Sequence, residues 1–467
     1  MNSPQQTFDS VVVGLGATGM SVVRYLVNQD SNFAVVDSRE NPPNADDLAK
    51  DYKNIPSHFG DFKTSWLSAA DQLIVNPGIA LATAEIDEAK QAGAEVIGDI
   101  ELFVRQNSKP VVAITGSNGK TTVTTLLDLM AKKSGANVAT GGNIGTPVLD
   151  LIDDADTELF ILELSSYQLE TTPSLQTLAA VILNVSEDHL DRYDNDLEKY
   201  AEAKSVIYNN CEHIVCNRED AYSIRFAKKY SQQSKEKNVI TFGLNAPEKG
   251  HYGLRVIDDA EWLVKGEQQL MLVSEIKQVG RHNVANALAT LALGEVAGLN
   301  MVAMLDVLRE YPGMIHRTQY LASIKAVNWY NDSKGTNVGA TLAALSGLPR
   351  KTVLIAGGQG KGADFLPLQK EINRRARAVI LMGEDAKLIA ENIDDSIPVI
   401  FVNNMYEAVE SAYKAADQSQ QDNVLLSPAC ASFDMFDNYA LRGEVFIKEV
   451  ADLESRLEKK AGGRNHV

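Results

Sequence analysis

Short apolar, β-branched runs recur along nearly the whole chain, and segments with helical spacing separate them. Such runs predict strands buried on both faces, and their alternation with helices is typical of parallel sheets covered by helices. We predict strands over residues 10–13, 33–36, 73–75, 111–115, 160–164, 180–184, 327–330, 353–356, 378–382, 399–402 and 424–427. The pattern therefore indicates an α/β protein.

Two segments depart from this alternation and help to divide the chain. Residues 254–274 alternate apolar and polar positions, which predicts a small accessory hairpin or sheet. Residues 280–308 are rich in Ala and Leu with helical spacing, and Tyr311-Pro312-Gly313 ends that pattern. A length of 467 residues suits about three domains. We predict domains over residues 1–98, 99–313 and 314–467.

A glycine-containing loop follows the strand predicted at 111–115. It reads G-S-N-G-K-T-T over residues 116–122 and precedes a helix predicted over 123–133. Backbone N–H groups of such a loop and the positive end of the helix bind phosphates, Lys120 adds a cation, and the Thr121 hydroxyl can hold Mg²⁺. Ile114 stands where the usual phosphate loop has its first glycine, so only the second half of that pattern fits. The alternative is a Gly-Asn turn with a solvated lysine.

A second glycine loop, G-L-G-A-T-G over residues 14–19, follows the first predicted strand and precedes a helix predicted over 20–28. Asp37 ends the next strand, where a ribose-binding acid would lie. Taken alone, this pattern predicts an NAD(P)-dependent dehydrogenase. The same arrangement also captures the diphosphate of a UDP-linked substrate at a helix N-terminus. A tight turn without a ligand is the third interpretation.

Three polar residues near strand ends or on a helix have candidate roles. Glu163 lies in an apolar strand, where a buried acid without a metal is costly, so we predict a Mg²⁺ ligand there. His189 follows the strand predicted at 180–184 and is a candidate metal ligand, although most loop histidines are simply solvated. Lys204, taken alone, is typical of a surface lysine on a helix. We treat Asn184-Val185-Ser186 as an unused glycosylation match.

Composition narrows the classes of partner. The formal net charge of −18 argues against nucleic acid and against an anionic membrane surface. The three cysteines show no metal-ligand spacing, which suits a reducing compartment. No run approaches the ~18 apolar residues of a membrane span, and the first ten residues lack the pattern of a signal peptide. We expect a cytoplasmic protein with no nucleic-acid partner and no membrane insertion.

The ordered motifs of the chain resemble those of the ATP-dependent Mur ligases, which build the peptide of bacterial cell-wall precursors. The resemblance covers essentially the full chain and is carried by residues 115–122, 141–145, 163–169, 184–189, 280–287, 316–317, 331–337 and 427–432. Residues 98–103, 357–365 and 427–439 are typical of the members that join D-glutamate to UDP-N-acetylmuramoyl-L-alanine.

The resemblance implies a fold, an activity and partners. It implies an N-terminal Rossmann-like UDP-binding domain, a central P-loop ATPase-type domain and a C-terminal Rossmann-like domain for the incoming amino acid. It implies an ADP-forming ligase of peptidoglycan precursor synthesis, and hence of cell shape and division, that works through an acyl phosphate. ATP and two Mg²⁺ ions are the implied cofactors, and UDP-N-acetylmuramoyl-L-alanine and D-glutamate are the substrates. We expect a monomer.

The resemblance also implies individual roles. The implied catalytic residues are Lys120, Glu163, His189 and Lys204. The implied ATP-binding residues are Gly116, Ser117, Asn118, Gly119, Lys120, Thr121, Thr122, Asn283, Asn286, Arg317, Asp332 and Lys334. The implied Mg²⁺ ligands are Thr121, Glu163, His189 and Lys204, the last as a carbamate, because an ammonium beside Mg²⁺ would be repelled. The implied UDP-substrate contacts are Leu15, Thr18, Asp37, Ser38, Arg39 and Asn143. The implied amino-acid contacts are Thr336, Lys361, Ser432 and Tyr439, the last where the family usually has phenylalanine.

Three other interpretations stay open at this point. A sister ligase that adds L-alanine, a diamino acid or polyglutamate would share the central domain and differ in amino-acid preference. A nicotinamide-dependent dehydrogenase would bind NAD(P)H through residues 14–19. A regulatory ATP-binding protein without ligase activity would leave the polar residues at the strand ends without a purpose.

Overall fold

The computed structural model describes residues 7–233 and 238–462, and their strands form four sheets. The first sheet has five strands that lie parallel in the order third, second, first, fourth, fifth. These strands are β1 (Ser10–Val13), β2 (Phe33–Asp37), β3 (Ser57–Phe59), β4 (Gln72–Val75) and β5 (Glu95–Ile97). The helices of this part are α1 (Ala17–Asn28), α2 (Ala45–Asp51), α3 (Thr64–Leu67) and α4 (Ala84–Gln91).

The second sheet has six parallel strands and lies at the centre of the chain. They are β6 (Val111–Thr115), β7 (Val138–Gly142), β8 (Leu159–Glu163), β9 (Gln176–Ile182), β10 (Asn210–Asn217) and β11 (Asn238–Phe242), in the spatial order β11-β10-β9-β6-β8-β7. The accompanying helices are α5 (Asp99–Gln106), α6 (Lys120–Lys133), α7 (Ser166–Leu169), α8 (Leu197–Ser205), α9 (Ala221–Ser231), α10 (Arg281–Val296) and α11 (Met301–Glu310). Because β6, β8 and β9 are neighbours, the loops that follow them meet at one edge of the sheet.

A small antiparallel sheet is inserted between β11 and α10. It consists of β12 (Tyr252–Ile257), β13 (Ala260–Lys265) and β14 (Gln268–Leu272). This confirms the accessory sheet predicted from the alternating pattern at 254–274. Leu254, Leu263 and Met271 belong to the same buried cluster as apolar residues of α6 and α10, so the insertion extends the central core.

The last sheet has six strands. They are β15 (Gln319–Ile324), β16 (Val327–Asn331), β17 (Thr352–Ala356), β18 (Ala376–Leu381), β19 (Val399–Phe401) and β20 (Asn423–Leu426). The order is β15-β16-β20-β17-β18-β19, and the edge strand β15 pairs antiparallel with β16 while the other pairs are parallel. Its helices are α12 (Val338–Gly347), α13 (Leu368–Arg375), α14 (Ala386–Ala390), α15 (Met405–Ala415) and α16 (Tyr439–Gly462).

The α/β architecture with mostly parallel sheets is confirmed, and the differences in detail have local causes. The pattern missed β3, β5, β7, β10, β11 and β15, which are short or carry polar residues, as in the sequence NCEHIVCN of β10. Helices α1 and α6 begin at Ala17 and Lys120, three residues earlier than predicted, because polar and small residues form their first turns. Strand β9 ends at Ile182, so residues 183–184 belong to a loop. Within the described residues, no helix has the length and apolar character needed to cross a membrane.

Candidate active site

The loop over residues 116–119 joins β6 to α6 and fixes the position of Lys120. Gly119 is the N-cap of α6 with φ +88°, and a Cβ there would lie 2.6 Å from Oδ1 of Asn286, so only glycine fits. Nζ of Lys120 donates to the carbonyl oxygens of Gly116 (2.7 Å) and Ser117 (3.0 Å). Burial lowers the pKa of Lys120. The Lys120 side chain thus folds back over the loop, where two backbone carbonyls bind its amino group.

Asn184, to which the sequence gave no individual role beyond a glycosylation match, holds this loop in place. Its carbonyl accepts from the N–H of Ser117 (2.9 Å), and its Oδ1 accepts from the N–H of Asn118 (2.8 Å). Its Nδ2 donates back to the carbonyl of Asn118 (2.9 Å). The hydroxyl of Ser117 also donates to the carbonyl of Ser186 (2.9 Å). In the sequence, Asn184 ends the strand predicted at 180–184 and begins the motif over residues 184–189.

Glu163 ends β8 with its side chain almost fully buried. Its Oε1 accepts from Nδ2 of Asn143 (2.8 Å), whereas Oε2 has no hydrogen-bond partner within the described part of the chain. A buried carboxylate oxygen without a partner is costly, and a divalent cation is the ligand that relieves this cost. Glu163 therefore fits a Mg²⁺ ligand. Asn143, predicted to contact the sugar diphosphate, here orients Glu163.

Lys204 is buried at 1% exposure on α8, so the interpretation as a surface lysine is wrong. Its Nζ donates to the carbonyl of Gly116 (3.2 Å) and lies 4.3 Å from the centroid of the Tyr200 ring. Burial, followed by the nearby charge of Lys120, lowers the pKa of Lys204 well below its usual value. Two lysines thus approach the same carbonyl at the phosphate loop.

His189 differs from these groups because its side chain is half exposed. Its backbone is left-handed with φ +54°, and its Nε2 lies 3.7 Å from Oδ1 of Asp188. Its ring meets that of Tyr167 edge-on at 5.4 Å. No cluster of three or more His, Cys, Asp or Glu side chains suited to a metal occurs among the described residues. Mg²⁺ usually takes one or two carboxylates together with phosphate oxygens and waters, so Glu163 suits an ion that arrives with a nucleotide.

Residues of the last sheet contribute to the same place. Nη2 of Arg317 donates to the hydroxyl of Thr121 (2.8 Å), so a residue beyond α11 contacts the first turn of α6. Asp332 accepts from the N–H of Thr318 (3.0 Å) and from the hydroxyl of Ser427 (2.7 Å), and burial raises the pKa of Asp332 to about 6. Burial also lowers the pKa of Lys334 to about 8.

A cavity of about 350 Å³ lies between the central sheet and the last one. Its volume is in the range of small-molecule sites. Of the residues predicted to bind ATP, those that line it are Asn118, Gly119, Thr122, Asn283, Asn286, Arg317, Asp332 and Lys334. Nδ2 of Asn283 donates to the carbonyl of Val279 (2.8 Å), which leaves its oxygen facing Nδ2 of Asn286 at 3.4 Å. His282, which the sequence did not single out, also lines the cavity.

A second cavity of about 110 Å³ brings His189, Thr336 and Lys361 together. Among the described residues, Ser432 and Tyr439 do not line this cavity. Ser432 is buried, and the Tyr439 ring lies 5.0 Å from Nζ of Lys334, which lines the first cavity.

Asn337, absent from the predicted site residues, lines the second cavity. Its Nδ2 donates to Oδ1 of Asn118 (3.2 Å) and to Oδ2 of Asp188 (3.3 Å). It also caps α12, because its Oδ1 accepts from the N–H of Ala340 (2.8 Å). One amide therefore connects the phosphate loop with the turn before His189.

The first glycine loop has a different environment. Oδ2 of Asp37 accepts from the N–H of Leu15 (2.7 Å), and Oδ1 accepts from the N–H and Nε of Arg39 (both 2.9 Å). Burial alone would raise the pKa of Asp37, but the bonds from Arg39 and Leu15 lower it overall. Ser38 and Arg39 are exposed beside the loop, while Leu15 is buried and offers only its backbone. Thr18 lies in the first turn of α1.

Comparison with known proteins places this geometry in a family. Three family descriptions match: "Mur ligase MurD-like, N-terminal domain" over residues 8–98, "Mur ligase middle domain" over 114–294 and "Mur ligase, glutamate ligase domain" over 316–430. A UDP-N-acetylmuramoylalanine--D-glutamate ligase of Pseudomonas syringae pv. tomato is 49% identical over 444 residues, which is 94% of this chain and 97% of that protein. The enzyme of the same name from Nitrosococcus oceani is 46% identical over 454 residues, which is 97% of this chain and 98% of that protein.

A solved structure agrees at the level of the fold. The MurF ligase from Thermotoga maritima in complex with ADP matches with a TM-score of 0.58 and 16% identity, covering 98% of this chain and 96% of that chain. With three matched domains in order and near-complete relatives at almost half identity, the chain belongs to the Mur ligase family.

Proposed function

We propose that this chain is an ATP-dependent, ADP-forming ligase that joins D-glutamate to UDP-N-acetylmuramoyl-L-alanine in peptidoglycan precursor synthesis. The observation that carries the proposal is the buried oxygen of Glu163, which has no hydrogen-bond partner within the described residues. Glu163 ends the strand next to β6, and the loop after β6 lines the cavity between the central and last sheets. The names of the two relatives, which align over nearly the whole chain, support the amino acid and the acceptor.

The proposal assigns one task to each part of the chain. Residues 1–98 bind the UDP moiety, residues 99–313 bind ATP, and residues 314–467 bind D-glutamate and complete the ATP site. The contact between Arg317 and Thr121 supports the last assignment, because it joins the third part to the phosphate loop. We propose a cytoplasmic monomer whose third domain closes on the other two when substrates bind. Small-angle scattering with and without nucleotide and substrate tests this closure, since an unchanged radius would contradict it.

The first chemical step follows from the charges around the loop. The L-alanyl carboxylate attacks the γ-phosphorus of ATP, ADP leaves, and an acyl phosphate forms. The loop N–H groups and Lys120 bind the phosphate oxygens and stabilise the charge that develops on them. Arg317 and Lys334 line the same cavity and add further positive charge from the third domain.

The second step joins the amino acid. The D-glutamate amine attacks the acyl carbonyl, phosphate leaves, and an amide bond remains after the amine loses a proton. His189 lines the second cavity with Lys361 and Thr336, which we propose as contacts for the D-glutamate carboxylates. We propose that the imidazole of His189 accepts the proton through the ring nitrogen that does not bind metal. Ser432 and Tyr439 remain proposed contacts that would require a change in the shape of this cavity.

The donor set fits Mg²⁺. Thr121, Glu163, His189 and a carbamate on Lys204 would hold two ions, which supply charge neutralisation at the transferring phosphoryl group. The carbamate is supported by the burial of Lys204 and its lowered pKa, because the neutral amine is the form that reacts with CO₂. The amine nitrogen forms a bond to the CO₂ carbon and releases one proton, which converts a cation into an anionic ligand.

The carbamate has its own test. Activity should fall in CO₂-depleted buffer and return with bicarbonate, while a Lys204→Gln variant should be inactive and insensitive to bicarbonate. Mass spectrometry of the native protein should detect the added CO₂. Full activity of the variant would contradict this role.

The experiment that tests the function is phosphate release from MgATP with UDP-N-acetylmuramoyl-L-alanine, comparing D-glutamate with L-glutamate, L-alanine and meso-diaminopimelate. Release that needs D-glutamate, with a product heavier by one glutamyl residue, supports the proposal. Release with a different amino acid would keep the fold and mechanism but indicate a sister ligase. No release with any of the four would contradict ligase activity.

A further inference from the structure

The turn that begins at His189 has an unusual backbone. His189, Asp194 and Asn195 are all left-handed, with φ of 54°, 54° and 58°, and a single 3₁₀ turn over Leu190–Tyr193 lies between them. Although His, Asp and Asn tolerate this region better than other residues, such conformations persist only where the surroundings impose them. Backbone bonds within the turn, such as that from the N–H of Asn195 to the carbonyl of Leu190 (2.9 Å), and contacts with neighbouring elements together stabilise it.

Arg192 is one source of such contacts, because it contacts two other elements, α7 and the loop after β4. Its Nη2 donates to Oε2 of Glu170 (3.2 Å), and its Nη1 donates to the carbonyl of Pro77 (3.4 Å), which lies in the loop after β4. Its guanidinium carbon lies 4.4 Å from the centroid of the Tyr167 ring. The side chain is largely buried, at 13% exposure. Its planar fork makes these contacts together, which a lysine could not do.

Arg192 lies in the turn that begins at His189, and α7, which it contacts, follows the strand that ends at Glu163. Tyr167 and Glu170 lie in and at the end of α7, which begins just after Glu163 and has a complete capping box at Ser165. The Tyr167 ring has Arg192 on it and meets the His189 imidazole edge-on at 5.4 Å. The N–H of Arg192 also donates to the carbonyl of His189 (3.1 Å).

We propose that Arg192 is a positioning residue that docks the turn at His189 onto α7 and so fixes the imidazole relative to Glu163. Tyr193 supports the same docking, because its hydroxyl donates to Oε1 of Glu170. The inference rests on the proposed function of His189. It predicts that Arg192 affects the rate of ligation only through His189, and that nucleotide binding at the phosphate loop is spared.

The experiment is a double-mutant cycle on kcat. Arg192→Met should lower kcat by about 10- to 100-fold, the usual effect of removing a residue that orients a metal ligand. The KM for ATP should stay within about twofold, because the loop over 116–122 is untouched. In a His189→Ala background, Arg192→Met should change kcat by less than about twofold. A full-sized effect in that background would overturn the inference.

Arg225 offers a matched control. It also pairs with a glutamate, Glu198, and lies 4.5 Å from the ring of Phe226, but it is 47% exposed at the periphery. Arg225→Met should leave kcat within about twofold. Arg192→Lys should recover only part of the lost rate, because it keeps the charge but not the fork. If Arg192→Met does not fold, Glu170→Gln in the same cycle serves instead, with the same expected non-additivity.

Amide hydrogen exchange of the substrate-free protein provides an independent readout. Residues 187–196 should exchange faster in Arg192→Met than in the wild type or in Arg225→Met, and unchanged exchange would overturn the inference. This measurement needs no ligase activity, so it still judges Arg192 if the wild-type chain shows no D-glutamate-dependent phosphate release. If His189→Ala leaves kcat unchanged while ligation is normal, the positioning role fails and the proposed ligase function stands.

Discussion

The two glycine loops of this chain have the same local design but opposite electrostatic surroundings. Each joins a buried strand to a helix, at residues 14–16 and 116–119. Beside the first loop, the Asp37 carboxylate accepts from Leu15 and Arg39, so its charge is compensated. Beside the second, Lys120 and Lys204 have lowered pKa values from burial.

This difference in charge compensation indicates which loop is suited to catalysis. At the first loop, the charge of Asp37 is already compensated by Arg39 and the Leu15 N–H. Such a loop can bind a diphosphate through its backbone N–H groups and the exposed Arg39, but the diphosphate does not relieve an uncompensated charge of the protein. The second loop has the Lys120 amine buried against its carbonyls, and nearby Glu163 has an oxygen without a hydrogen-bond partner within the described residues, so an anionic nucleotide and its metal would complete it. The first loop is therefore suited to hold a substrate, and the second to transfer a phosphoryl group.

The largest predicted effect comes from removing the central cation. Lys120→Met should lower kcat by about 1000-fold, because a preorganised charge at the transferring phosphate is lost. Phosphate release under saturating substrates measures this. Lys132→Met, on the exposed face of the same helix and paired with Asp128, is the control and should stay within about twofold. A Lys120→Met variant with near-normal kcat would remove the distinction between the two loops.

The next effect concerns Glu163. Glu163→Gln keeps the shape and the bond from Asn143 but removes the charge, so we expect a loss of kcat of about 100-fold and a higher Mg²⁺ requirement. A titration of activity against Mg²⁺ measures both. Glu158→Gln, exposed just before β8, should show neither change. An unchanged Mg²⁺ requirement in Glu163→Gln would mean that its free oxygen is not a metal ligand.

The presence of both glycine loops and much of the fold around them could be predicted from local sequence. Glycine loops, strand periodicity and helix starts depend on neighbouring residues. The phosphate loop and the α/β class followed from such patterns. The burial of Lys204 could not be derived in this way, since it depends on how α8 packs against the loop after β6. The same holds for Asn184 and Asn337, which act through contacts between distant segments. Strands rich in polar residues, such as β10, were missed because pairing with β9 overrides their weak propensity.

At the first loop, we expect binding rather than catalysis to respond. Asp37→Asn removes the charge that holds both the Leu15 N–H and the Arg39 guanidinium, so the loop should loosen. The KM for the UDP-linked substrate should rise by about tenfold, while kcat and the KM for ATP stay within about twofold. Steady-state kinetics with each substrate varied in turn measure this. Asp9→Asn, at the start of the same sheet, serves as the control. A fall in kcat instead would contradict the division of tasks.

The smallest effect is on stability, and its sign differs between Asp37 and Asp332. Burial raises the pKa of Asp332 from 3.8 to about 6, so the folded protein binds this proton more tightly than the unfolded chain does. Its unfolding free energy therefore falls as pH rises through that window, at a cost of about 3 kcal/mol above it. Asp37 has a lowered pKa, so its stabilisation is present above the unfolded pKa and is lost as pH falls through the folded value.

Two variants should therefore shift in opposite directions at pH 7.5. Asp332→Asn should be more stable than the wild type by about 1–3 kcal/mol, with the difference closing toward pH 4, because the buried charge is removed. Asp37→Asn should be less stable by about 1 kcal/mol, with its difference also closing in acid. Calorimetric midpoints measure both, and they move about 2–4 °C for each kcal/mol in a domain of 150–250 residues and about 4–8 °C in one of 60–100 residues. If Asp332→Asn were less stable at every pH, the bonds from Thr318 and Ser427 would outweigh the cost of burying the Asp332 charge. The charges around the cavity at the second loop would then be as well compensated as that of Asp37 at the first.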